Sequence, residues 1–492
     1  MRRISYILIL IIATHVASAQ TDVSEALRFS QLTYGSSART LGVGGAFGAV
    51  GADVSATSIN PAGVGLFRSS EFTVSGSLLF NSSNATYIGQ SSNEIAGNFN
   101  VGNWGAVFVI PTKRADNPWR SVNLSVNTDR LANYDKQTSF SGYNTNNSYV
   151  DALVQQLNSA NVNTGVAPSQ LASNPNYFYG FLANQGYLLF PNSGADSLHY
   201  SSNVPHGQVN QSYLNTTTGF LRETNATISA NYKDRLYLGF SMGFTHINYT
   251  STTTYSEKTA TGQPSSTGFK DFTQTDYVST SGWGYNAKLG AVVRLSDMFR
   301  VGLSFQTPTL FKLSDYYSDN IKSDVNRTTI DSTTMSYNYH DYTPQDGQYN
   351  YQLITPWHAT LSGAMIIPRY GFISVDYEYV PYNSASYNFN QAASTDDKAQ
   401  QTIINNTISS SFVGASNVRV GTEYAVKDYR FRLGAAYYMS PYSSSVKPSG
   451  GYDDSRILFT AGAGINFSQS HLDLALAYQM YNTYLQPSAT CD

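Results

Sequence analysis

From residue 236 onward the chain places Leu236, Leu238, Phe240, Met242 and Phe244 on one parity and Gly239, Ser241, Gly243 and Thr245 on the other. Side chains two apart on a strand share a face, so such a segment has one apolar face and one small or polar face. The division recurs. Ala287, Leu289, Ala291, Val293 and Leu295 oppose Asn286, Lys288, Gly290 and Arg294; Val301, Leu303 and Phe305 oppose Gly302, Ser304 and Gln306; Tyr429, Phe431, Leu433 and Tyr437 oppose Arg430 and Arg432. A soluble sandwich would turn the polar set to water, whereas a barrel in a membrane turns the apolar set to lipid.

Three further features select the barrel. Arg2 and Arg3 precede an apolar run from Ile4 to Val16, and Ala17-Ser18-Ala19 follows, which predicts a secretory signal peptide over residues 1–19. No later segment approaches the run of about 20 apolar residues that a spanning helix needs. The single cysteine, Cys491, provides neither a disulfide framework nor a lipid anchor near the cleavage site. Charged residues are only 12% while aromatics reach 14%, with 38 Tyr and 25 Phe. A lipid-facing wall excludes charge and collects aromatic rings at its two rims. The net charge of -3 gives no footing for a nucleic-acid partner.

Connectivity is the third feature. Short links near 113–117, 232–235, 296–299, 368–370, 426–428 and 468–470 alternate with longer Ser, Thr, Asn, Tyr and Gly-rich stretches near 141–215, 257–270, 316–348, 390–411 and 442–453. A barrel has short periplasmic turns and longer extracellular loops, so the short side is assigned to the periplasm.

Residues 20–70 differ from the rest. Asp22 is placed to cap a helix from Val23, with Glu25 three positions on, and a glycine-rich stretch from Gly42 to Gly51 leads to Asn60-Pro61-Ala62-Gly63. This is too irregular for a wall strand. A dinucleotide fingerprint would need glycine where Phe47 stands, so a compact segment folded inside the lumen is the better account. Gly239-Phe240-Ser241-Met242-Gly243 matches a nucleophile-elbow pattern, but an elbow turns from strand to helix, and His246 lies an odd number of positions from Ser241. Neither catalysis nor a cofactor is expected. The other histidines have no metal-ligand spacing.

The Gly42 to Gly51 stretch, Asn60-Pro61-Ala62-Gly63, Gly282-Trp283-Gly284-Tyr285-Asn286, Arg300-Val301-Gly302-Leu303-Ser304 and Thr355-Pro356-Trp357, in that order, resemble the FadL-like family of outer-membrane transporters for long-chain fatty acids and aromatic hydrocarbons. The resemblance implies an all-β fold, a transmembrane antiparallel barrel of about 14 strands with an N-terminal hatch in its lumen. It implies passive transport of hydrophobic small molecules in the outer membrane of a Gram-negative bacterium, by a monomer that meets outer-membrane lipid and the barrel assembly machinery. Asn60, Pro61, Ala62, Gly63 and Phe47 become gate candidates, although Asn60-Pro61 also reads as a plain turn. Tyr177, Phe178, Tyr179, Phe181 and Leu182 are candidates for ligand capture, or for packing a loop on the rim. Family members use a distorted third strand as a side exit, and the alternation of Val122, Leu124 and Val126 is expected to fail at Asn127-Thr128-Asp129-Arg130, with Asn127 and Thr128 as the exit candidates.

Two other readings share the evidence. A general porin would use Lys288, Arg294, Asp376, Glu378, Arg430 and Arg432 to line a water channel, unless these charges pair around a plug; a structural or adhesin barrel would transport nothing. A 22-stranded TonB-dependent barrel would need a longer chain. Counting strands over 71–482 gives thirteen, an odd number where bacterial barrels have an even one, so a fourteenth is expected to be missing beyond the tail at 483–492.

Overall fold

The computed structural model describes residues 23–112, 116–159, 165–262, 265–326, 337–389, 395–446 and 454–482. The signal peptide, Asp22 and the tail at 483–492 lie outside the described residues. Among those described, no helix is long and apolar enough to cross a membrane.

Among the described residues thirteen wall strands follow one another: β1 (Glu71–Tyr87), β2 (Gln90–Pro111), β3 (Trp119–Asn133, continued by Lys136–Asn144), β4 (Val209–Tyr232), β5 (Leu236–Thr259), β6 (Phe269–Arg294), β7 (Phe299–Gln306 and Leu310–Asn326), β8 (Tyr337–Tyr342, Gly347–Ile354 and His358–Ile367), β9 (Gly371–Pro381 and Ser386–Phe389), β10 (Gly414–Val426), β11 (Tyr429–Tyr438), β12 (Arg456–Asn466) and β13 (His471–Tyr481). Each pairs antiparallel with its sequence neighbour, from the β1–β2 ladder to the β12–β13 ladder. Strands and loops divide differently from the sequence expectation. β5 reaches Thr259 and β7 reaches Asn326, so much of what the sequence suggests as long loop is wall standing above the membrane. At the short side, Lys233 and Asp234 both take positive φ, the left-handed pair that a two-residue hairpin requires.

Alternation governs the wall as its parity requires. Leu238, Phe240 and Phe244 are 41%, 41% and 48% exposed, whereas Tyr237, Ser241 and Thr245 between them are 1%, 0% and 2% exposed. The exposed set forms the outer face. The buried polar set is covered by residues 23–67, which contain α1 (Val23–Arg28), α2 (Ala38–Gly42) and two 3-10 turns, Ser55–Ser58 and Pro61–Leu66. This one segment touches β3 through Thr57 and Asn127, β6 through Asn60 and Ala291, β9 through Phe47 and Asp376, and β12 through Gly42 and Thr460. A sheet in contact with a single small body along so many strands must curl around it. No ladder joins β1 to β13 among the described residues, although Glu71 and His471 at their lower ends approach to 4.0 Å.

Wall glycines let the segment sit backbone to backbone against the sheet. A Cβ at Gly239 would strike Pro61, one at Gly290 would strike Asn60, and one at Gly434 would strike Val43 and Gly44. Gly290→Leu therefore overpacks the seat of Asn60, at a cost of about 1–3 kcal/mol. Limited trypsinolysis at Arg39 is expected to accelerate in that variant while heat-modifiable migration of the barrel persists; unchanged protection of Arg39 would refute this seating.

Candidate functional site

The inner face changes chemistry with height. Low on β3, β4 and β5 it presents Asn127, Asp129, Glu223, Asn225, Ser241 and Thr245; higher up it presents Leu131, Leu221, Ile247 and Tyr249. The lower, polar level is occupied by the N-terminal segment. Ser58 donates to Asp129 at 2.6 Å and Thr57 to Asn127 at 2.8 Å, while Ser304 donates to the Ile59 carbonyl at 2.7 Å. Asp376 accepts from the backbone N–H groups of Phe47 and Gly48, both at 3.1 Å.

The charges expected on this face are present, and they pair. Lys288 bonds to Glu223 and, at 3.0 Å, to Asn225. Arg419 reaches Glu378 at 3.0 Å and Asp376 at 3.7 Å, and Arg432 reaches Glu423 at 2.7 Å and Asp473 at 2.6 Å. Tyr34 donates to Glu378 at 3.0 Å. Burial and the adjacent Glu378 carboxylate push the Tyr34 phenol well above its ordinary value, which keeps it a donor. A buried pair broken by removing one partner leaves an uncompensated charge, so these groups brace the plugged wall. Arg294 and Arg430 sit nearer solvent at the short-turn rim, with Asp297 at 2.7 Å from the former and Glu423 at 4.0 Å from the latter.

Above this polar level Phe29, Ser30 and Leu32 of the N-terminal segment meet Leu131, Leu221 and Phe311 around a cavity of about 10 Å³, which Glu223, Thr245, Gln306, Thr309, Thr355 and His358 also line. That volume holds about one water. His358 is tied to Glu378 at 3.1 Å. Phe29, Leu131, Leu221 and Phe311 of the cavity belong to a larger apolar cluster that also contains Tyr382, Tyr387 and Phe389 of β9 with the turn inside it, and Ile404 and Ile408 of α6 (Thr395–Ser411). Asn405 of that helix bonds both backbone groups of Tyr387, at 2.8 and 2.9 Å.

The sequence candidates distribute around this cavity and do not line it. Asn60 caps the turn that begins at Pro61, accepting from Ala62 N at 3.1 Å, and its amide donates to the Gly48 carbonyl at 2.8 Å. Ala62 and Gly63 are buried in the same turn. Phe47 stacks edge-on against Phe372, with ring centroids 5.8 Å apart, beneath the Arg39 guanidinium at 5.3 Å. In the loop between β3 and β4, α3 (Tyr149–Ser159), α4 (Pro168–Ser173) and α5 (Phe178–Gln185) pack on the rim through a core shared with Phe269 and Phe272 of β6 and Ile321 and Val325 of β7. Leu182 belongs to that core with Val150, Leu153 and Leu157. Tyr177, Phe178 and Phe181 are half-buried, and Tyr179 is 39% exposed.

The expected failure of alternation at Asn127 and Thr128 is corrected. Asn127 points inward and is fully buried, Thr128 points outward and shares a 2.9 Å hydrogen bond with Thr224, and both pair with β2. The irregularity lies just above, between Arg130 and Ala132. There the β2–β3 ladder ends at Asn103 and Asp129, and the upper part of β3 pairs only with β4. Side chains of β1 and β2 reach upper β3 instead: Asn81 of β1 donates to the Asp135 carbonyl at 3.3 Å, Ser83 of β1 meets Thr138 at 3.3 Å, Tyr87 of β1 packs on Phe140 at 4.7 Å, and Ser139 donates to Glu94 of β2 at 2.6 Å. Ser241 is fully buried and faces the lumen, whereas His246 stacks on Trp283 on the outer face, so the elbow pattern assembles no dyad.

The cavity-lining residues that pattern reading misses are Phe29, Leu32, Leu131, Leu221 and Phe311. For Leu131, Leu221 and Phe311 the only trace in sequence is an apolar residue on a parity that is otherwise polar.

No curated protein matches the chain. Among solved structures it is similar to a Pseudomonas aeruginosa FadL homologue, at 14% identity and TM-score 0.44 over 91% of this chain and 89% of that one. It is also similar to two mutants of the TodX monoaromatic hydrocarbon channel: deltaS2S3, at 11% identity and TM-score 0.48 over 91% and 94%, and deltaS2, at 11% and 0.44 over 86% and 88%. The model of the family described as outer membrane protein transport protein (OMPP1/FadL/TodX) matches residues 208–486. That match spans more than half of the chain, which therefore belongs to this family and is an outer-membrane β-barrel transporter of hydrophobic compounds, not an enzyme.

Proposed function

We propose that the chain carries long-chain fatty acids or aromatic hydrocarbons passively from the extracellular rim to the cavity lined by Leu131, Leu221 and Phe311, with residues 20–70 acting as the hatch. The observation that carries this reading is the level at which the inner wall turns from polar to apolar, because an apolar ligand gains there what water-filled lumen would deny it. Burial of ligand surface contributes about 25 cal/mol per Å². The resting cavity is too small for such a ligand, so entry requires Phe29 and Leu32 to move with the hatch. Tyr179 and the half-buried Tyr177, Phe178 and Phe181 are suited to collecting ligand at the rim, while Leu182 holds the loop together.

Release would use the place where β2 and upper β3 lack a shared ladder, directly above Asn127 and Thr128. Side-chain contacts there can part without breaking backbone pairing. Asn60, Pro61, Ala62, Gly63 and Phe47 act at one remove from the ligand in this reading, by setting how the hatch seats on β6 and β9.

Leu221→Trp, which fills the cavity, is expected to lower uptake of a labelled long-chain fatty acid or toluene by about tenfold, since overpacking of 1–3 kcal/mol opposes ligand entry. Planar-bilayer recordings of the unmodified protein are expected to show no steady ion conductance; a large open conductance with undiminished uptake in Leu221→Trp would instead indicate a porin. Pro61→Gly should slow uptake several-fold with barrel assembly intact, because it loosens a turn whose φ is preset by proline. Uptake equal to that of the parent protein would remove Pro61 from the gate. A Ser83→Cys/Thr138→Cys pair, once oxidised, is expected to block release into the membrane and to recover on reduction; uptake indifferent to redox state would place the exit elsewhere.

A further inference from the structure

One row of the outer wall carries charge where lipid should meet apolar groups. Arg130 of β3 pairs directly with Arg222 of β4, Arg222 with His246 of β5, and His246 with Trp283 of β6. All four lie on the parity that faces outward. Below this row the outward residues of β5 are Leu238, Phe240, Met242 and Phe244; above it they are Asn248, Thr250, Thr252 and Thr254. Ten residues separate Leu236 from His246, which at about 3.3 Å per residue and a tilt of about 40° is roughly the 25 Å height of a barrel's apolar band. The row is therefore the extracellular membrane interface.

Two arginines directly opposite one another on adjacent strands repel. Only one of them is compensated. Arg130 bonds to Asp135 at 3.3 Å and to the Gly219 carbonyl at 2.9 Å, which occupies the one carboxylate at this place. Arg222 makes no salt bridge or side-chain hydrogen bond among the described residues, and its Nε is buried without a partner, as is that of Arg130. Both guanidinium groups are held against the same ring, Phe220, at 5.5 and 4.6 Å. Phe220 in turn packs on His246 at 5.6 Å, and His246 stacks on Trp283 at 4.3 Å. Aromatic neighbours fix both cations in place and leave the charge of Arg222 unanswered.

We propose that this row is a binding site for the phosphorylated headgroup of an outer-leaflet lipid, with Arg222 as the contact and the nearly buried Arg130 adding positive charge beside it. A phosphate monoester offers an acceptor edge that a guanidinium binds in two places, and its charge would turn the repulsion between the arginines into shared attraction. The acyl chains would descend along Phe244, Met242 and Phe240, and Trp283, 62% exposed, would sit at the headgroup level. The site lies on the opposite face of the wall from the cavity, so it is independent of the transport reading.

Native mass spectrometry of the detergent-purified full chain with diphosphoryl lipid A tests the assignment. The unmodified protein is expected to retain the lipid about tenfold more tightly than Arg222→Gln, a loss in the range of one charge-assisted contact, and Arg222→Lys should restore part of it. Dephosphorylated lipid A should bind weakly to every form, and millimolar inorganic phosphate should not displace the lipid. Equal retention by Arg222→Gln would overturn the proposal. So would equal binding of the dephosphorylated lipid to the unmodified protein, a comparison that needs no variant to fold. Displacement by inorganic phosphate would reduce the row to a simple anion site and likewise reject a lipid.

Discussion

The polar inner wall must be answered by hydrogen bonds that water does not supply, and the hatch supplies them. Asp129, Asp376 and Ser304 each meet a group from the first 70 residues, two of them by contact with backbone. An unpaired buried carboxylate would cost several kcal/mol, so wall and hatch depend on each other. This dependence explains the glycines as well. Backbone groups of Phe47 and Gly48 can reach a wall carboxylate only if the chain comes within contact of the sheet, and Gly239, Gly290 and Gly434 remove the side chains that would hold it off. The hatch is thus fitted to the wall through peptide groups, with few long side chains between.

Such a fit has a functional consequence. Polar contacts distributed over β3, β6, β9 and β12 can be exchanged one at a time, because water entering from the periplasmic side can satisfy each group as it is released. A hydrophobic seal of equal area would have to open in one costly step. The apolar seal exists too, but at a different level, where Phe29 and Leu32 meet Leu131, Leu221 and Phe311. In the proposed mechanism a hydrophobic ligand competes directly for that seal and replaces its contacts in kind. The division of labour is between a lower layer that can be hydrated and an upper layer that can be substituted.

Much of this was legible in the residues, and the reason is parity. Two-residue periodicity survives any error in loop assignment, so Leu238, Phe240 and Phe244 could be set outside and Ser241 and Lys288 inside without knowing the neighbours of either strand. The thirteen strands and the buried Asn60-Pro61 turn follow from the same kind of local signal. The cavity does not. Its walls come from Phe29, Leu131, Leu221 and Phe311, residues that far apart in sequence meet only through the register of several ladders, and one apolar residue on a polar parity looks like noise. The alternation at Asn127 and Thr128 was misjudged for a related reason: polar residues on both parities look like a break, although Asn127 faces the hatch and Thr128 faces a threonine across the ladder. Likewise Leu182 and Tyr179 are three residues apart, yet one is core and the other surface, because the loop folds on itself.

The inversion of the wall unites these levels. Where the inner face changes from Glu223 to Leu221, the outer face changes from Ile228 and Thr224 to Arg222 on the same strand, so a single stretch of β4 marks both the polar-to-apolar change of the lumen and the proposed edge of the lipid. Neither change is required by the other, since the faces are chemically independent. Their coincidence follows from what each face must meet: lipid ends at a fixed height outside, and the apolar cargo that lipid would hold must be held by protein at that height inside. A membrane transporter of hydrophobic compounds has to place its apolar lumen next to the interface where its cargo arrives, and β4 carries both requirements in alternate residues.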